Sequence, residues 1–382
     1  MTAPALTRAA SSGTRIDRVP FDANAWTALA DDWSALSQAS VPAHFVSTTW
    51  IETWLDVYGR DLGTELWTLR EDGALAGASL LTTRHERRGP VPVRCVYLQS
   101  AGADPGEGVR SEYNAILATE ASRDEATRAL VHSLVEAGAD EVIAEGFDER
   151  ERARLAEALP GWEADTLWSE DPWVDLAEVR SQGVEYRHHC LSKNTRGQAN
   201  RTLNAFAKLG AVETEVAATV ERALEIYAEL IELHQASWQA RGGRGAFAAE
   251  RFRRFHAEFI RRAFGEGRVQ LIRVSAGAET IGALYNFVDD RRILFYQSGL
   301  SYRDDNRYRP GIAAHVSAIE RCLELGFDEY HFLAGDENTP RYKQSLSNRA
   351  NRLAWTTFRR PGLKTRTIDL LRGVKQRLRR SR

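Results

Sequence analysis

The sequence predicts a mixed α/β protein of two tandem domains, each a mainly antiparallel sheet flanked by helices. Three observations carry that expectation: the length, the apolar content, and an order of elements that occurs twice. At 382 residues the chain exceeds what one hydrophobic core usually supports. Its 43% hydrophobic and 27% charged residues, with ten Trp, are the composition of a soluble globular protein with material for two cores. The repeated order is two helices, a meander, then helix, strand, helix and strand, at a spacing of roughly 200 residues.

In the second half, residues 219–241 place Ile226, Leu230, Leu233 and Trp238 near one helical face. A second helix over 247–264 carries Phe252, Phe255, Phe259 and Phe264, after a Gly-rich link at 241–245. Strands at 269–276, 280–288 and 292–300 follow, divided by Gly277 and by Asp289-Asp290, and read as an antiparallel meander. A Gly-led helix at 311–325, a strand at 329–334, a short helix near 339–346 and a strand near 351–358 complete the half. In the first half, helices at 25–38 and 48–58 precede strands near 64–70, 74–84, 93–100 and 112–118. A helix at 123–137, a strand at 141–147, a helix at 149–158 and a strand near 165–176 come next. Residues 185–209 read as a basic connecting helix. These boundaries divide the chain into an N-terminal domain over 1–180, a C-terminal domain over 181–360 and a basic tail over 361–382.

No apolar stretch approaches the roughly 20 residues needed to cross a bilayer, and the N-terminal residues lack an apolar signal core, so a cytoplasmic location is expected. Cys95, Cys190 and Cys322 are scattered and odd in number, which predicts free thiols. His188-His189 has no Cys or carboxylate at ligand spacing, and no metal is expected. The net charge of −2 hides two basic segments. Residues 180–210 hold six Arg/Lys against Glu185, and residues 341–382 hold fourteen against Asp369. Such segments fit either a polyanion, such as nucleic acid, phospholipid or a nucleotide cofactor, or solvated surface. In the tail, Ile368, Leu371, Val374 and Leu378 outline an apolar stripe, so the segment suits anionic lipid or nucleic acid, or else a frayed, solubilising terminus.

A helix that begins at Pro310-Gly311, directly after a strand and loop, points free backbone N–H groups and its positive dipole end at one spot, which suits pyrophosphate. Arg307 and Arg309 flank that turn and could add charge-assisted contacts. A plain turn with Pro at the helix start reads the same way. Past the 329–334 strand come Gly335-Asp336-Glu337 and then, on a short helix, Tyr342-Lys343, so all could face one cleft. Asp336 could equally cap a helix, and Lys343 could equally be solvated. Alternation puts His331 opposite Tyr330 and Phe332, so it faces the site as a base or is a satisfied core histidine. His315, inside the helix, reads as a packing or helix-surface residue.

The run Tyr308-Arg309-Pro310-Gly311-Ile312, then Tyr330-His331-Phe332-Leu333-Ala334-Gly335-Asp336-Glu337 and Tyr342-Lys343, resembles the GNAT-like acyltransferases that include the cellulose-biosynthesis CelD proteins. That group is related in fold to the Fem-type aminoacyl transferases. The likeness takes in Ser192-Lys193-Asn194-Thr195-Arg196, the Trp50–Trp54 helix and Glu112-Tyr113-Asn114, and so spans nearly the whole chain. It implies two GNAT-like domains, with Arg307, Arg309, Gly311 and Ile312 holding the donor. It also implies Tyr342 as proton donor and Lys343 as a charge contact, beside His331, Asp336 and Glu337. The sequence departs from the group in lacking the fuller Gly-rich loop, and at His331, where relatives often carry an acid. The first half has no Gly-led turn and is expected to be degenerate, with the Glu112-Tyr113-Asn114 strand lining an acceptor groove through Glu112 and Asn114.

The expected activity is transfer of an acyl group, acetyl first, from acyl-CoA to an amine of a small molecule or peptide. The alternative is an aminoacyl-tRNA-dependent, Fem-like transferase that uses the basic segments on tRNA, favoured by the short Gly loop and opposed by the lack of an inserted coiled-coil arm. A non-catalytic binding protein that kept the fold is a third reading.

Overall fold

A computed structural model describes residues 13–40, 44–334 and 341–380 of the chain. It divides into two compact units, one of Met1–Trp168 with Leu353–Arg382, the other of Ser169–Arg352.

The first unit opens with β1 (Thr14–Pro20), α1 (Ala23–Ala39) and α2 (Thr48–Trp54), the last continued by one π turn over Leu55–Gly59. The start of α1 is set by Asp22, whose carboxylate accepts from the Ala25 N–H at 2.8 Å, and its inner face by Trp26, Leu29, Trp33 and Leu36 at helical spacing. The meander is β2 (Glu65–Glu71), β3 (Ala74–Arg88) and β4 (Val91–Leu98), followed by β5 (Leu117–Ala118), α3 (Arg123–Glu136), β6 (Glu141–Asp148) and α4 (Glu149–Ala158). The strand β7 (Glu163–Asp175) then carries the chain into the second unit.

There the elements are α5 (Leu176–Gln182), α6 (Tyr186–His189), α7 (Lys193–Phe206), β8 (Val212–Val216), α8 (Val220–Ala240) and α9 (Glu250–Ala263). The meander β9 (Val269–Ala276), β10 (Glu279–Asp289) and β11 (Arg292–Leu300) precedes α10 (Pro310–Glu324), β12 (Glu329–His331) and α11 (Arg341–Ser345). The strand β13 (Arg349–Arg359) returns to the first unit, which ends in α12 (Leu363–Arg380). The connector read as one helix over 185–209 is broken, because Ser192 caps a new helix by accepting from the Thr195 N–H at 3.2 Å. On α8, Ile226 and Leu230 are buried as expected, but Tyr227 and His234 complete the face and Trp238 is 38% exposed.

The two units share one topology. In the first the strand order is β1-β2-β3-β4-β6-β13, and in the second β8-β9-β10-β11-β12-β7. In each, the first four strands pair antiparallel, the fourth and fifth pair parallel, and the sixth is antiparallel to the fifth. The sixth strand is exchanged: β7 follows α4 yet pairs with β12, and β13 follows α11 yet pairs with β6. A division at 180/181 therefore differs from the observed one, which falls inside β7, and the first unit takes the C-terminal helix as well.

The short edge strands β1 and β8 were not expected from sequence. Conversely, Glu112-Tyr113-Asn114 forms no strand, because Tyr113 takes a left-handed φ of 55° that interrupts extended backbone. The basic tail forms α12 over Leu363–Arg380, and its Ile368 packs against Val93, Cys95 and Ile143. Among the described residues no helix is long and apolar enough to cross a membrane.

Candidate active site

In the second unit, β11 and β12 pair only over Arg292–Leu294 and Glu329–His331. Beyond that point β11 runs on to Leu300, while Phe332 donates its N–H to Pro172 O at 2.9 Å and Leu333 turns with a φ of 56°. The strands part there. The first unit has the same arrangement, with β4 and β6 paired over Cys95–Tyr97 and Glu141–Ile143, but its gap is filled by residues 111–116. Asn114 bridges to Phe147, its N–H donates to Gly146 O at 3.0 Å, and its Nδ2 donates to Glu145 O at 2.7 Å. Gln99 Nε2 holds the other side by donating to Ala115 O at 2.6 Å. Gly146, with a φ of +69°, is required, because a Cβ there would sit 2.2 Å from Ser111 O. Glu112 is buried in an ion pair with Arg110 at 2.8 Å, and Arg110 also lies 4.3 Å over the Trp355 ring. Glu112 and Asn114 thus build the filling of the first unit's gap.

In the second unit the N-terminus of α10 lies beside the parting strands. Arg309 is fixed from α7: its N–H donates to Thr202 Oγ1 at 2.8 Å and its guanidinium to Gln198 Oε1 at 3.1 Å. Arg307 is exposed and paired with Asp305, its Nε donating at 2.9 Å. Between α7 and this loop runs a groove of about 410 Å³, lined among others by Gln198, Arg201, Asn204, Lys208, Arg307 and Arg309. The side chain of Ile312 is not part of it and packs in the apolar core.

Gly311 is the point of closest approach. A Cβ there would lie 3.1 Å from both Cζ and the hydroxyl of Tyr342, so the missing side chain makes room for the phenol. Burial, with Tyr302 nearby, pushes the Tyr342 phenol well up, so it holds its proton through the neutral range. One turn along α10, His315 is fully buried with its ring 5.9 Å from that of Tyr342 and edge-on to Phe295 at 4.5 Å. Its Nδ1 lies 3.1 Å from the Tyr330 hydroxyl, and its Nε2 has no hydrogen-bond partner. Burial, reinforced by the Lys343 charge, drives His315 well below its ordinary pKa, so the ring is neutral. Lys343 itself sits with Nζ 4.7 Å over the Phe295 ring.

His331 is engaged elsewhere. Its Nδ1 is 2.6 Å from Asp171 Oδ2, its Nε2 is 2.8 Å from Glu329 Oε2, and its ring stacks on Trp173 at 5.2 Å. Burial opposes charge on this ring, but the two carboxylates outweigh it and raise the pKa. His331 is therefore an imidazolium that donates from both nitrogens, which ties down the groups a base would use. Stability from this ion pair should be fully present below the ordinary histidine pKa of about 6.5 and lost as pH rises through the higher folded value. Denaturant titrations of the protein and of His331→Gln should show the stability gap narrowing above neutrality; a gap constant with pH would remove the charge from the account.

The sequence reading thus brought Gly311, Tyr342 and Lys343 to one place, with Arg307 and Arg309 at the adjoining groove. Asp336 and Glu337 lie outside the described residues. His315 is the packing residue that the sequence suggested, and its spacing of four from Gly311 puts both on one helical face. Reasoning from sequence missed Gln198 and Thr202, which α7 delivers, whereas Arg201 and Lys208 belong to the basic segment singled out over 180–210. Among the described residues no group of three or more His, Cys, Asp or Glu is placed to hold a metal.

The family model described as acetyltransferase (GNAT) domain matches residues 193–344, the stretch from α7 to α11 that holds this groove and Tyr342. Residues 193–344 thus carry a GNAT acetyltransferase domain. Among solved structures, FemX is similar over 92% of this chain and 99% of its own, with a TM-score of 0.54 at 10% identity. L-PGS from Bacillus licheniformis is similar over 92% and 96%, with a TM-score of 0.54 at 12% identity. A conserved protein of unknown function from Bacteroides thetaiotaomicron gives 0.54 at 11% identity, over 87% and 97%. At these identities the likeness is one of fold. Comparison with curated proteins finds no match.

Proposed function

We propose that the second unit of this GNAT acyltransferase takes acyl-CoA and moves its acyl group, acetyl first, to the amine of a small molecule or peptide. The observation that carries this reading is the groove of about 410 Å³ that Arg201, Lys208, Arg307 and Arg309 line just ahead of α10, whose first turn presents backbone N–H groups beyond Pro310. Those cations and donors match a pyrophosphate and a further phosphate on one ligand. The thioester would then lie toward the parting of β11 and β12, beside Tyr342. The amine nitrogen attacks the thioester carbonyl carbon, the new C–N bond forms as the C–S bond breaks, and the Tyr342 hydroxyl gives its proton to the departing sulfur. The proton lost by the attacking ammonium restores the tyrosine through solvent. His315 backs the phenol, His331 braces β12, and the filled gap of the first unit offers no equivalent donor cleft.

A second reading has one specific observation in its favour: Arg201 of α7 and Lys208 just past its end add two cations to the lining of the groove, as contacts to an RNA backbone would need. On that reading the donor is an aminoacyl-tRNA and the product an amide made by the same attack on an ester.

Thermal shift with acetyl-CoA, longer acyl-CoAs and charged tRNA separates the two, since a ligand at 100 times its Kd stabilises by about 2.7 kcal/mol. Acyl-CoA should stabilise the protein, and Arg201→Gln with Arg309→Gln should weaken that binding roughly tenfold or more. Stabilisation by charged tRNA alone would transfer the assignment to the second reading.

A further inference from the structure

The C-terminal helix carries apolar side chains on two sides, and the first unit covers only one of them. Thr365 and Ile368 are buried, with Ile368 set among Val93, Cys95 and Ile143. The rotation of α12 is fixed by Lys364, whose Nζ donates to Asp140 at 2.6 Å, and by Asp369, which accepts from Arg359 at 2.7 Å. Facing away, Leu363 is 82% exposed, Leu370 72% and Leu371 41%. Leu363 and Leu370 are the two most exposed of the large hydrophobic side chains among the described residues.

At 3.6 residues per turn, Leu363 and Leu370 fall within about 20° of each other. By the same spacing Arg366 borders that arc, and it is exposed. Over its length the helix has seven Lys/Arg against the single acid Asp369. An outward apolar arc on a strongly cationic helix is the pattern of a helix that lies in a membrane interface.

We propose that this outward face of α12 docks the protein on an anionic lipid surface. Leu363, Leu370 and Leu371 enter the boundary between headgroups and acyl chains, Arg366 pairs with a lipid phosphate, and the excess positive charge of the helix draws it to the anionic surface. Charge complementarity selects this occupant. A nucleic acid would use the cations and leave the leucines in water, and a second copy would bring two cationic helices together.

Co-sedimentation with vesicles tests it. The full chain should bind vesicles of equal phosphatidylglycerol and phosphatidylcholine, with binding to phosphatidylcholine alone weaker by at least about tenfold. The double variant Leu363→Gln, Leu370→Gln should lose a comparable factor while keeping its thermal midpoint, because both side chains are exposed. Arg366→Gln should weaken binding at low salt and matter less at high salt. Equal binding to both vesicle types, undiminished binding by the leucine variant, or self-association that the leucine variant abolishes would each overturn the proposal.

Discussion

Replacing Tyr342 by Phe should slow acyl transfer by roughly 10²–10⁴-fold, the range expected when a positioned general acid is removed. The change deletes one hydroxyl and leaves the ring that fills the space beside Gly311, so donor affinity and thermal midpoint should stay near those of the parent. The loss should therefore fall on kcat. The pH profile gives a second readout. Burial raises the Tyr342 pKa, so the acid form persists into alkaline solution, and no fall in rate from loss of this proton should occur below the ordinary tyrosine pKa of about 10. Turnover unchanged in Tyr342→Phe would take this hydroxyl out of the mechanism.

Gly311→Val should be as damaging for a different reason. A Cβ already lies 3.1 Å from the Tyr342 ring and hydroxyl, and the branched methyls of valine reach further, so the phenol must leave its place. The same bulk stands at the first turn of α10, where a donor phosphate would approach the backbone. Both donor affinity and transfer should fall, each by two orders of magnitude or more on the scale of a misplaced catalytic group. Gly311→Ala should fall between, since a single methyl asks the phenol to move only a few tenths of an ångström. Calorimetric titration with acetyl-CoA alongside steady-state kinetics distinguishes the two substitutions, because Tyr342→Phe retains binding and Gly311→Val does not. Donor affinity retained in Gly311→Val would place the phosphates elsewhere than the α10 turn.

These expectations rest on a part of the molecule that was largely legible from residues close in sequence. The helices α8 and α9, the meander β9–β11, the Gly-led helix α10 and the short α11 all follow from apolar spacing and Gly or Asp punctuation within windows of about 10–20 residues. The repeat of element order was legible for the same reason. Less legible were β1 and β8, whose sequences TRIDRVP and VETEV alternate charges with few large apolar residues, as edge strands covered on one side can. Trp238 was misjudged because periodicity locates a face without saying where the core ends along the helix.

The sequence by itself determined the kind of fold, the order of its elements, and the presence of Gly311, Tyr342 and Lys343 on adjoining segments. Local spacing and capping involve neighbours a turn or a strand apart, so they are written in the chain. Only the tertiary structure decided that β7 and β13 exchange units, because strand pairing depends on which edge is open at a distance of more than 150 residues. It also decided the fate of the two histidines. His331 meets Asp171 from a remote strand and becomes charged, whereas His315 is fully buried beside Tyr330, with the Lys343 charge nearby, and stays neutral. The same imidazole thus takes opposite states, because its charge is set by desolvation and by the nearest carboxylates or cations, and those are brought together only when the chain has folded.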